Sequence, residues 1–250
     1  MNLERAAAVE AERSPAHARC TVIPFWLHVL SIASLALGFA SALTIAGDEF
    51  RHPQQMWIMN LVWPLCGLFA GGLALWAYAA YGRGGGPDGA TPPLWVNIGK
   101  SAMHCGAGCT LGDICAEWLA VAFPGIAAAL GARWFGDRLF AIWVLDYLFA
   151  YAFGILFQYV TITPMRGLRL WQGLWAAVKA DTLSLTAWQT GMYGFMAFAA
   201  LFLFPAAFAA HLVTASVEFW FMMQIAMLFG FATSYPVNWW LLRARIKEPM

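Results

Sequence analysis

Six long apolar segments separated by short polar connections dominate the sequence. They lie at 22–46, 56–81, 94–123, 139–162, 182–204 and 216–242. A helix needs roughly 20 apolar residues to cross the hydrocarbon core of a bilayer, so each segment is long enough for one crossing. The pattern predicts an all-α integral membrane protein with a six-helix transmembrane bundle. The predicted division is a polar cytoplasmic N-terminal tail (1–21), the transmembrane domain (22–243) and a short cytoplasmic C-terminal tail (244–250).

The connection before the fifth segment has a helical pattern of its own. Apolar residues recur at helical spacing between residues 166 and 179, with basic residues on the other faces. This arrangement is typical of an amphipathic helix that lies on a membrane surface, so the sequence predicts an interfacial helix before the fifth span. The apolar positions are Leu168, Trp171, Trp175 and Val178.

The composition excludes several classes of protein. Hydrophobic residues make up 62% of the 250 residues and charged residues 11%, whereas a soluble domain averages about 45–50% apolar and about 25% charged residues. A soluble all-α protein would need more charge to cover its surface. The net charge is +1, which leaves no basic surface for nucleic acid. The lipid bilayer is therefore the first predicted partner.

The basic residues predict an orientation, because cytoplasmic loops are enriched in Lys and Arg. With six spans and a cytoplasmic N-terminus, ten basic residues fall on the inner side and three on the outer side. The inner set is Arg5, Arg13, Arg19, Arg83, Arg166, Arg169, Lys179, Arg243, Arg245 and Lys247, and the outer set is Arg51, Arg133 and Arg138. The sequence thus predicts a multi-pass protein of the bacterial inner membrane with both termini in the cytoplasm.

The third segment carries most of the chemically active residues. Cys105, Cys109, Asp113 and Glu117 follow one another at steps of four, so on a helix they form one slowly drifting stripe. His104 borders this stripe. Small residues on the same helix, including Gly108 and Gly112, would let a neighbouring helix approach closely, and this small-residue face predicts a contact with a membrane partner or a second copy.

Acidic residues inside a membrane are costly and usually mark function. Asp113 lies near mid-depth in the third helix, and Asp146 lies at a similar depth in the fourth helix, which runs in the opposite direction. Glu117 and Glu218 lie nearer the outer side. We expect these four acids to form one intramembrane polar site.

The residue types also predict a soft-metal site. Thiolates and thioethers favour Cu(I), and imidazole binds copper as well. The candidate metal ligands are His104, Cys105 and Cys109. Further soft ligands on the sixth helix are Met222, Met223 and Met227. The alternative is that the cysteines and methionines only fill space, which both residue types do often.

A longer pattern resembles a known bacterial membrane family. The stretch HCGAGCTLGD (104–113) is followed by Glu117 and Trp118, and the chain ends with SYPVNWW (234–240) and RIKE (245–248). Together with Trp63 and LALWAY (73–78), these residues resemble the family catalogued as domain of unknown function 4396. Some members carry a copper oxidase label. This chain shows no extramembrane oxidase domain, so the resemblance favours copper only modestly.

Four functions compete at this stage. The first is transport or handling of a soft metal, with copper as the candidate ion. The second is an intramembrane thiol redox enzyme using Cys105 and Cys109, although cysteines one helical turn apart are poorly oriented for a disulfide. The third is a membrane scaffold or assembly subunit without catalytic activity. The fourth is a haem protein that uses His28 and His104.

Overall fold

A computed structural model of the protein describes residues 23–83, 93–129 and 138–247, which form helices joined by turns, with no β-strand in these ranges. The helices are α1 (Phe25–Glu49), α2 (Met59–Ala70), α3 (Gly72–Ala77), α4 (Leu94–Ala122), α5 (Gly125–Ala129), α6 (Arg138–Arg166), α7 (Leu170–Ala197), α8 (Phe204–Phe208) and α9 (Val217–Arg243). Short π-helical turns continue α3 (Tyr78–Gly82) and join α7 to α8 (Phe198–Leu203). The predicted all-α class is confirmed, and the predicted tail 1–21 lies outside the described residues.

Four helices of the described ranges are long and apolar enough to cross a membrane. They are α1, α6, the continuous helix through α7 and α8 (Leu170–Phe208), and α9. Helix α4 is equally long, with 29 residues, but it carries Lys100, Asp113 and Glu117. Both acids are buried among the other helices, away from the outer surface of the bundle. The protein is therefore a multi-pass membrane protein with a polar helix at its centre.

The second apolar segment does not cross the bundle. It forms a helical hairpin of α2 and α3 (residues 59–83, the hairpin), and the chain reverses at Gly71, where φ is +51°. The ring centroids of Trp63 and Tyr78, on the two arms, lie 5.6 Å apart. At 1.5 Å per residue, an uninterrupted helix would separate these residues by about 22 Å. The break therefore turns one long apolar segment into two short antiparallel helices.

The hairpin begins and ends at one end of the bundle. At the end of α1, the Asp48 carboxylate accepts a hydrogen bond from Tyr78 Oη at 2.8 Å and pairs with Arg83 at 3.1 Å. The tip reaches only to the middle of α1, where a Cβ added to Gly38 would lie 2.5 Å from the Leu68 carbonyl oxygen. Gln224 Nε2 donates a hydrogen bond to this oxygen at 2.6 Å. This bond supplies the polar partner that a broken helix needs inside a membrane.

Helices α1 and α9 run in the same direction. His28 Nδ1 lies 2.6 Å from Glu218 Oε1 near the start of both helices. Six residues later on each helix, Ser34 Oγ donates to Gln224 Oε1 at 2.7 Å. The start of α1 and the end of α9 therefore lie at opposite ends of the bundle, which we call the N end and the C end.

The other long helices alternate between these ends. Helix α4 begins at the C end, where Tyr235 Oη donates to the Trp95 carbonyl oxygen at 3.1 Å. It finishes at the N end, where Trp118 stacks on Trp220 at 6.3 Å. Helix α6 then returns to the C end, and α7 runs back beside it. Within the described ranges, five long helices thus run between the two ends, and the hairpin fills the place of a sixth from the C end only.

This arrangement bears on two predictions. The six-span count is not confirmed, because the segment at 56–81 is a hairpin with a break at Gly71, so its chain returns to the end at which it entered. The prediction that both termini lie on the cytoplasmic side depends on an even number of crossings and stays a prediction. Of the predicted tail 244–250, the structure describes 244–247, and Lys247 turns back into the bundle instead of extending away.

The predicted interfacial helix is not a separate element. Residues from Leu170 onward form one uninterrupted helix with the fifth apolar segment, 39 residues long up to Phe208. The stretch between Lys179 and Thr182 contains neither Gly nor Pro, so nothing in it breaks the helix. A helix of this length measures about 58 Å, far more than the roughly 30 Å of a hydrocarbon core, and one end must reach beyond it.

The small-residue face of α4 is used inside the protein. A Cβ on Gly112 would lie 2.4 Å from the backbone nitrogen of Ala150 in α6, and a Cβ on Gly108 would lie 3.0 Å from the Cα of Gly154. These contacts bring the two backbones together without side chains between them. The face predicted to bind a partner is therefore occupied by α6, and it places Asp113 beside Asp146.

We expect Gly112→Ala to lower the free energy of unfolding by about 1–3 kcal/mol, the usual cost of overpacking, because the new methyl group meets backbone that cannot move aside. Gly99→Ala is the matched control on the same helix, since a Cβ at Gly99 meets no atom within 4 Å. Unfolding titrations in mixed detergent micelles measure both. Equal stability of the two variants would contradict the close packing of α4 on α6.

Candidate functional site

Helix α4 and its neighbours hold three acids close together, in the half of the bundle nearer the N end. Asp113, Glu117 and Asp146 are each at most 2% exposed, and they lie within electrostatic range of one another. We call these three residues the acidic cluster. The predicted proximity of Asp113 and Asp146 follows from the antiparallel packing of α4 and α6.

The acids differ in the partners that the described residues provide. Glu117 accepts a hydrogen bond from Thr214 Oγ1 at 2.8 Å. Both carboxylate oxygens of Asp113, and Oδ1 of Asp146, have no hydrogen-bond partner in the described ranges. The Gln189 carboxamide of α7 adjoins Asp113, and its own nitrogen and oxygen have no other partner in the described ranges. Asp113 is thus a buried acid whose hydrogen-bonding capacity is unused.

Glu218 has a partner of its own outside the acidic cluster. It is 3% exposed, and its carboxylate meets His28 at 2.6 Å between α1 and α9. The prediction that all four acids form one polar site stays a prediction for Glu218, because α1 lies beside the start of α9 and provides an imidazole for it. The same contact separates His28, at the N end, from His104, which lies toward the C end, so these two histidines cannot hold one haem.

Toward the C end, Cys105 lies in a second polar group, the thiol cluster, made of Cys105, Asp181, Ser184, Asn238 and Lys247. The Cys105 thiol donates to Asp181 Oδ1, with a distance of 2.8 Å between Sγ and the oxygen, and lies 2.9 Å from Ser184 Oγ. Each of the five side chains is at most 1% exposed. The cluster therefore has polar chemistry without direct contact with solvent or lipid.

Lys247 provides the positive charge of the thiol cluster. Its ammonium group donates to the Ser101 carbonyl oxygen at 3.0 Å, to Asn238 Oδ1 at 3.0 Å and to Cys105 Sγ at 3.2 Å. These contacts use all three of its donors. The Asp181 carboxylate lies 3.9 Å away. The chain delivers this lysine through a turn after α9, in which Arg245 adopts a φ of +55°.

A serine and asparagine network completes the thiol cluster. Asn238 Nδ2 donates to Ser184 Oγ at 2.7 Å and to Ser234 Oγ at 2.8 Å. The two serine hydroxyl oxygens lie 3.2 Å apart. These residues join α7 to α9 and orient the Asn238 carbonyl oxygen toward Lys247, so the ammonium group is held from two helices as well as from α4.

His104 faces α6, away from the stripe of cysteines. Its Nε2 lies 3.1 Å from Thr161 Oγ1, and that hydroxyl donates to the Phe157 carbonyl oxygen at 2.9 Å. The hydroxyl therefore accepts from the imidazole, which assigns the proton to Nε2. Nδ1 then carries a lone pair, and it has no hydrogen-bond partner within the described part of the chain.

The predicted metal ligands are not grouped as a metal site requires. Within the ranges that the structure describes, no three His, Cys, Asp or Glu side chains are arranged to hold a metal ion. Cys105 forms hydrogen bonds with other members of the thiol cluster. Cys109 lies between Cys105 and Asp113 and is fully buried. Both are free thiols. The positive charge of Lys247 at 3.2 Å from Cys105 Sγ opposes binding of a cation there.

Two of the three methionines of α9 border the same cavity as Asp113 instead. Met222, Met223 and Met227 are buried, and the last two line a cavity of about 360 Å³ together with Asp113. This cavity (the tip cavity) lies between α1, the hairpin tip, α4 and α9. It occupies the N-end half of the space that the hairpin fills from the C end.

Several residues of the site were missed by the sequence analysis. Asp181 lies between the predicted interfacial helix and the predicted fifth span, and Lys247 lies in the predicted cytoplasmic tail. Nothing in the sequence marks Ser184, Gln189 or Asn238 individually as a functional residue. The sequence does contain one signal for these residues. Asp181, Ser184 and Gln189 are polar positions at spacings of three and five along the mostly apolar α7, and a helical projection of α7 would reveal them.

The fold and this interior define a class: a multi-pass α-helical membrane protein with titratable groups buried along its central helix. The chain belongs to the family described as domain of unknown function (DUF4396), whose family model matches residues 94–247. The predicted family resemblance is thereby confirmed. The match begins with α4 and ends at Lys247, so it contains every member of the acidic and thiol clusters. No curated protein and no solved structure matches the chain.

Proposed function

We propose that the protein is a membrane transport protein that translocates protons through its interior along α4. The observation that carries this proposal is the pair Asp113 and Asp146: two buried acids, within electrostatic range of each other, with carboxylate oxygens that lack hydrogen-bond partners in the described ranges. A carboxylate inside a membrane is costly without compensation. The pair is stable only when a bound proton or another cation neutralises it, and binding of that kind is the elementary step of proton transport.

The arrangement of titratable groups along α4 supports the same proposal. Glu117 and Asp113 lie toward the N end, Cys105 and its neighbours Asp181 and Lys247 lie toward the C end, and Cys109 stands between them. Positions 105 and 117 are separated by about 18 Å along a helix, which is more than half of a hydrocarbon core. The polar groups therefore extend over much of the depth of a membrane.

The hairpin supports a transport function independently. Helices that break near mid-depth, next to a cavity and a binding site, are typical of secondary transporters. Here the break at Gly71 lies at mid-depth beside the tip cavity, which Asp113 borders. In this proposal five helices cross the membrane, α4 among them, and the hairpin enters from one side only.

The basic residues give the proposed orientation. Five of the fourteen Lys and Arg residues belong to segments that connect at the N end of the bundle: Arg5, Arg13, Arg19, Arg133 and Arg138. The other nine belong to the C-end half. By the positive-inside rule, the C end faces the cytoplasm, and the start of α1 lies on the opposite side.

The other hypotheses have weaker support. A copper site at Cys105 places the ion next to the Lys247 ammonium group, and a thiol enzyme requires access to a thiol that is fully buried. A scaffold that binds through the small-residue face of α4 would compete with α6 for Gly112. Proton translocation does not require Lys247 to leave Cys105, the buried thiol to become accessible, or α6 to move away from Gly112.

Proton flux into proteoliposomes tests the proposal. With a pH gradient imposed across the membrane and valinomycin with K⁺ to cancel the membrane potential, we expect a trapped pH-sensitive dye to show faster proton entry than in protein-free vesicles. Asp113→Asn and Asp146→Asn should reduce this entry to the protein-free rate, because an amide cannot bind the transported proton.

Glu218→Gln is the matched control, since this acid is also buried in the bundle but its carboxylate has a partner, His28. It should retain the wild-type flux. The proposal fails if the purified wild-type protein does not accelerate proton entry, or if folded Asp113→Asn and Asp146→Asn variants conduct as well as the control.

A further inference from the structure

The tip cavity is shaped for a hydrophobic ligand. Its volume is about 360 Å³, within the range of small-molecule sites. Aromatic rings from three helices and the hairpin form much of its wall: Phe39, Phe69, Trp118 and Trp220. Phe39 and Trp118 at the rim are 60% and 49% exposed. In a membrane these side chains face lipid, so the cavity opens sideways into the bilayer.

The polar groups of the cavity offer acceptors and few donors. Gln224 donates to the Leu68 carbonyl oxygen, and Thr110 donates to the Gly106 carbonyl oxygen at 2.8 Å. The indole N–H of Trp220 donates to the Thr214 carbonyl oxygen at 2.8 Å. These donors are satisfied by the protein itself. The Asp113 carboxylate borders the same cavity, is 1% exposed and has no hydrogen-bond partner in the described ranges.

From these observations we propose that the tip cavity binds lipophilic organic cations, with Asp113 as the counter-charge and the aromatic side chains as the apolar wall. A carboxylate attracts a cation strongly where water is excluded, and the faces of Trp and Phe rings attract cations as well. An anionic ligand would meet the Asp113 charge without a free donor to compensate for it. Neutral lipid chains would leave the carboxylate without a partner.

This inference rests on the proposed function and names its substrate class. The same carboxylate would bind either a proton or the organic cation, so the two compete, and entry of one from one side can be coupled to exit of the other. The titratable groups facing Asp113 are Glu117 and Cys109 on its own helix, Asp146 on α6 and Tyr193 on α7. Helix α9 presents the uncharged Met227 and Gln224.

Equilibrium dialysis of radiolabelled tetraphenylphosphonium against the purified protein in mild detergent tests the proposal. We expect saturable binding that weakens as the pH is lowered, because protons occupy the site. Asp113→Asn should weaken this binding by roughly tenfold or more, or about 1.4 kcal/mol or more, whereas Glu218→Gln should leave it unchanged. Tetraphenylborate, which has the same shape and the opposite charge, should show no binding that depends on Asp113.

Binding that is not saturable, that survives in folded Asp113→Asn, or that is equal for tetraphenylborate would overturn the cation site. A cavity that retains a phospholipid through purification and excludes tetraphenylphosphonium would overturn it too. The proton-flux assay separates this failure from that of the proposed function. Proton flux without cation binding rejects only the cation site, and cation binding without proton flux rejects proton translocation.

Discussion

Replacing Lys247 with methionine should lower the free energy of unfolding by about 3–5 kcal/mol, the typical cost of removing one partner of a buried ion pair. The ammonium group is 1% exposed and has all three of its hydrogen bonds inside the protein. Methionine has a similar length and no charge. Its substitution leaves the Asp181 carboxylate 0% exposed and without its cation. Unfolding titrations in mixed detergent micelles measure the loss.

Two further variants isolate the charge effect. Lys179→Met makes the same substitution at a lysine whose ammonium group lies over the Trp175 ring at the surface, and it should change stability by no more than about 0.5 kcal/mol. The double variant Lys247→Met with Asp181→Asn removes both charges and should recover at least half of the loss. Equal unfolding of Lys247→Met and the wild type would show that Lys247 does not occupy the thiol cluster.

The second large effect concerns topology, where the outcome is all or none. Cysteines introduced at His52 and Arg83, both exposed beside the ends of the hairpin, should react with a membrane-impermeant maleimide from the same side of the membrane. A cysteine at His211, between α8 and α9, should react from the other side. The hairpin requires this result, because the chain reverses at Gly71 and returns to the end where α1 finishes.

Intact cells and permeabilised cells distinguish the two sides, with Cys20 replaced in the background. By the proposed orientation, His52→Cys and Arg83→Cys label only after permeabilisation, and His211→Cys labels in intact cells. A six-span bundle gives a different pairing, since it places positions 52 and 211 together and position 83 opposite. Observation of that pairing would reject the hairpin topology.

The proposed transport function and the topology prediction have one structural basis. The hairpin reaches only to the middle of the bundle, and the tip cavity lies next to its tip. The acidic cluster therefore borders a space open toward lipid, while the thiol cluster is closed by Lys247.

The sequence by itself determined everything that depends on local spacing. Steps of four residues placed Cys105, Cys109, Asp113 and Glu117 on one side of a helix, because an α-helix repeats every 3.6 residues. The apolar content determined the class of protein, because a bilayer requires apolar helices of a minimum length. The proximity of Asp113 and Asp146 followed from two consecutive helices running in opposite directions.

Only the tertiary structure decided where the chain reverses and which groups pair across distant helices. Average apolarity over 56–81 is the same for a crossing helix and for a hairpin, so the backbone conformation of Gly71 could not be inferred from it. The partners of Glu218 and Cys105 come from His28 and Lys247, far away in the sequence. Such pairs depend on how whole helices pack, and that packing is settled by contacts such as Gly112 against Ala150, which no local pattern encodes.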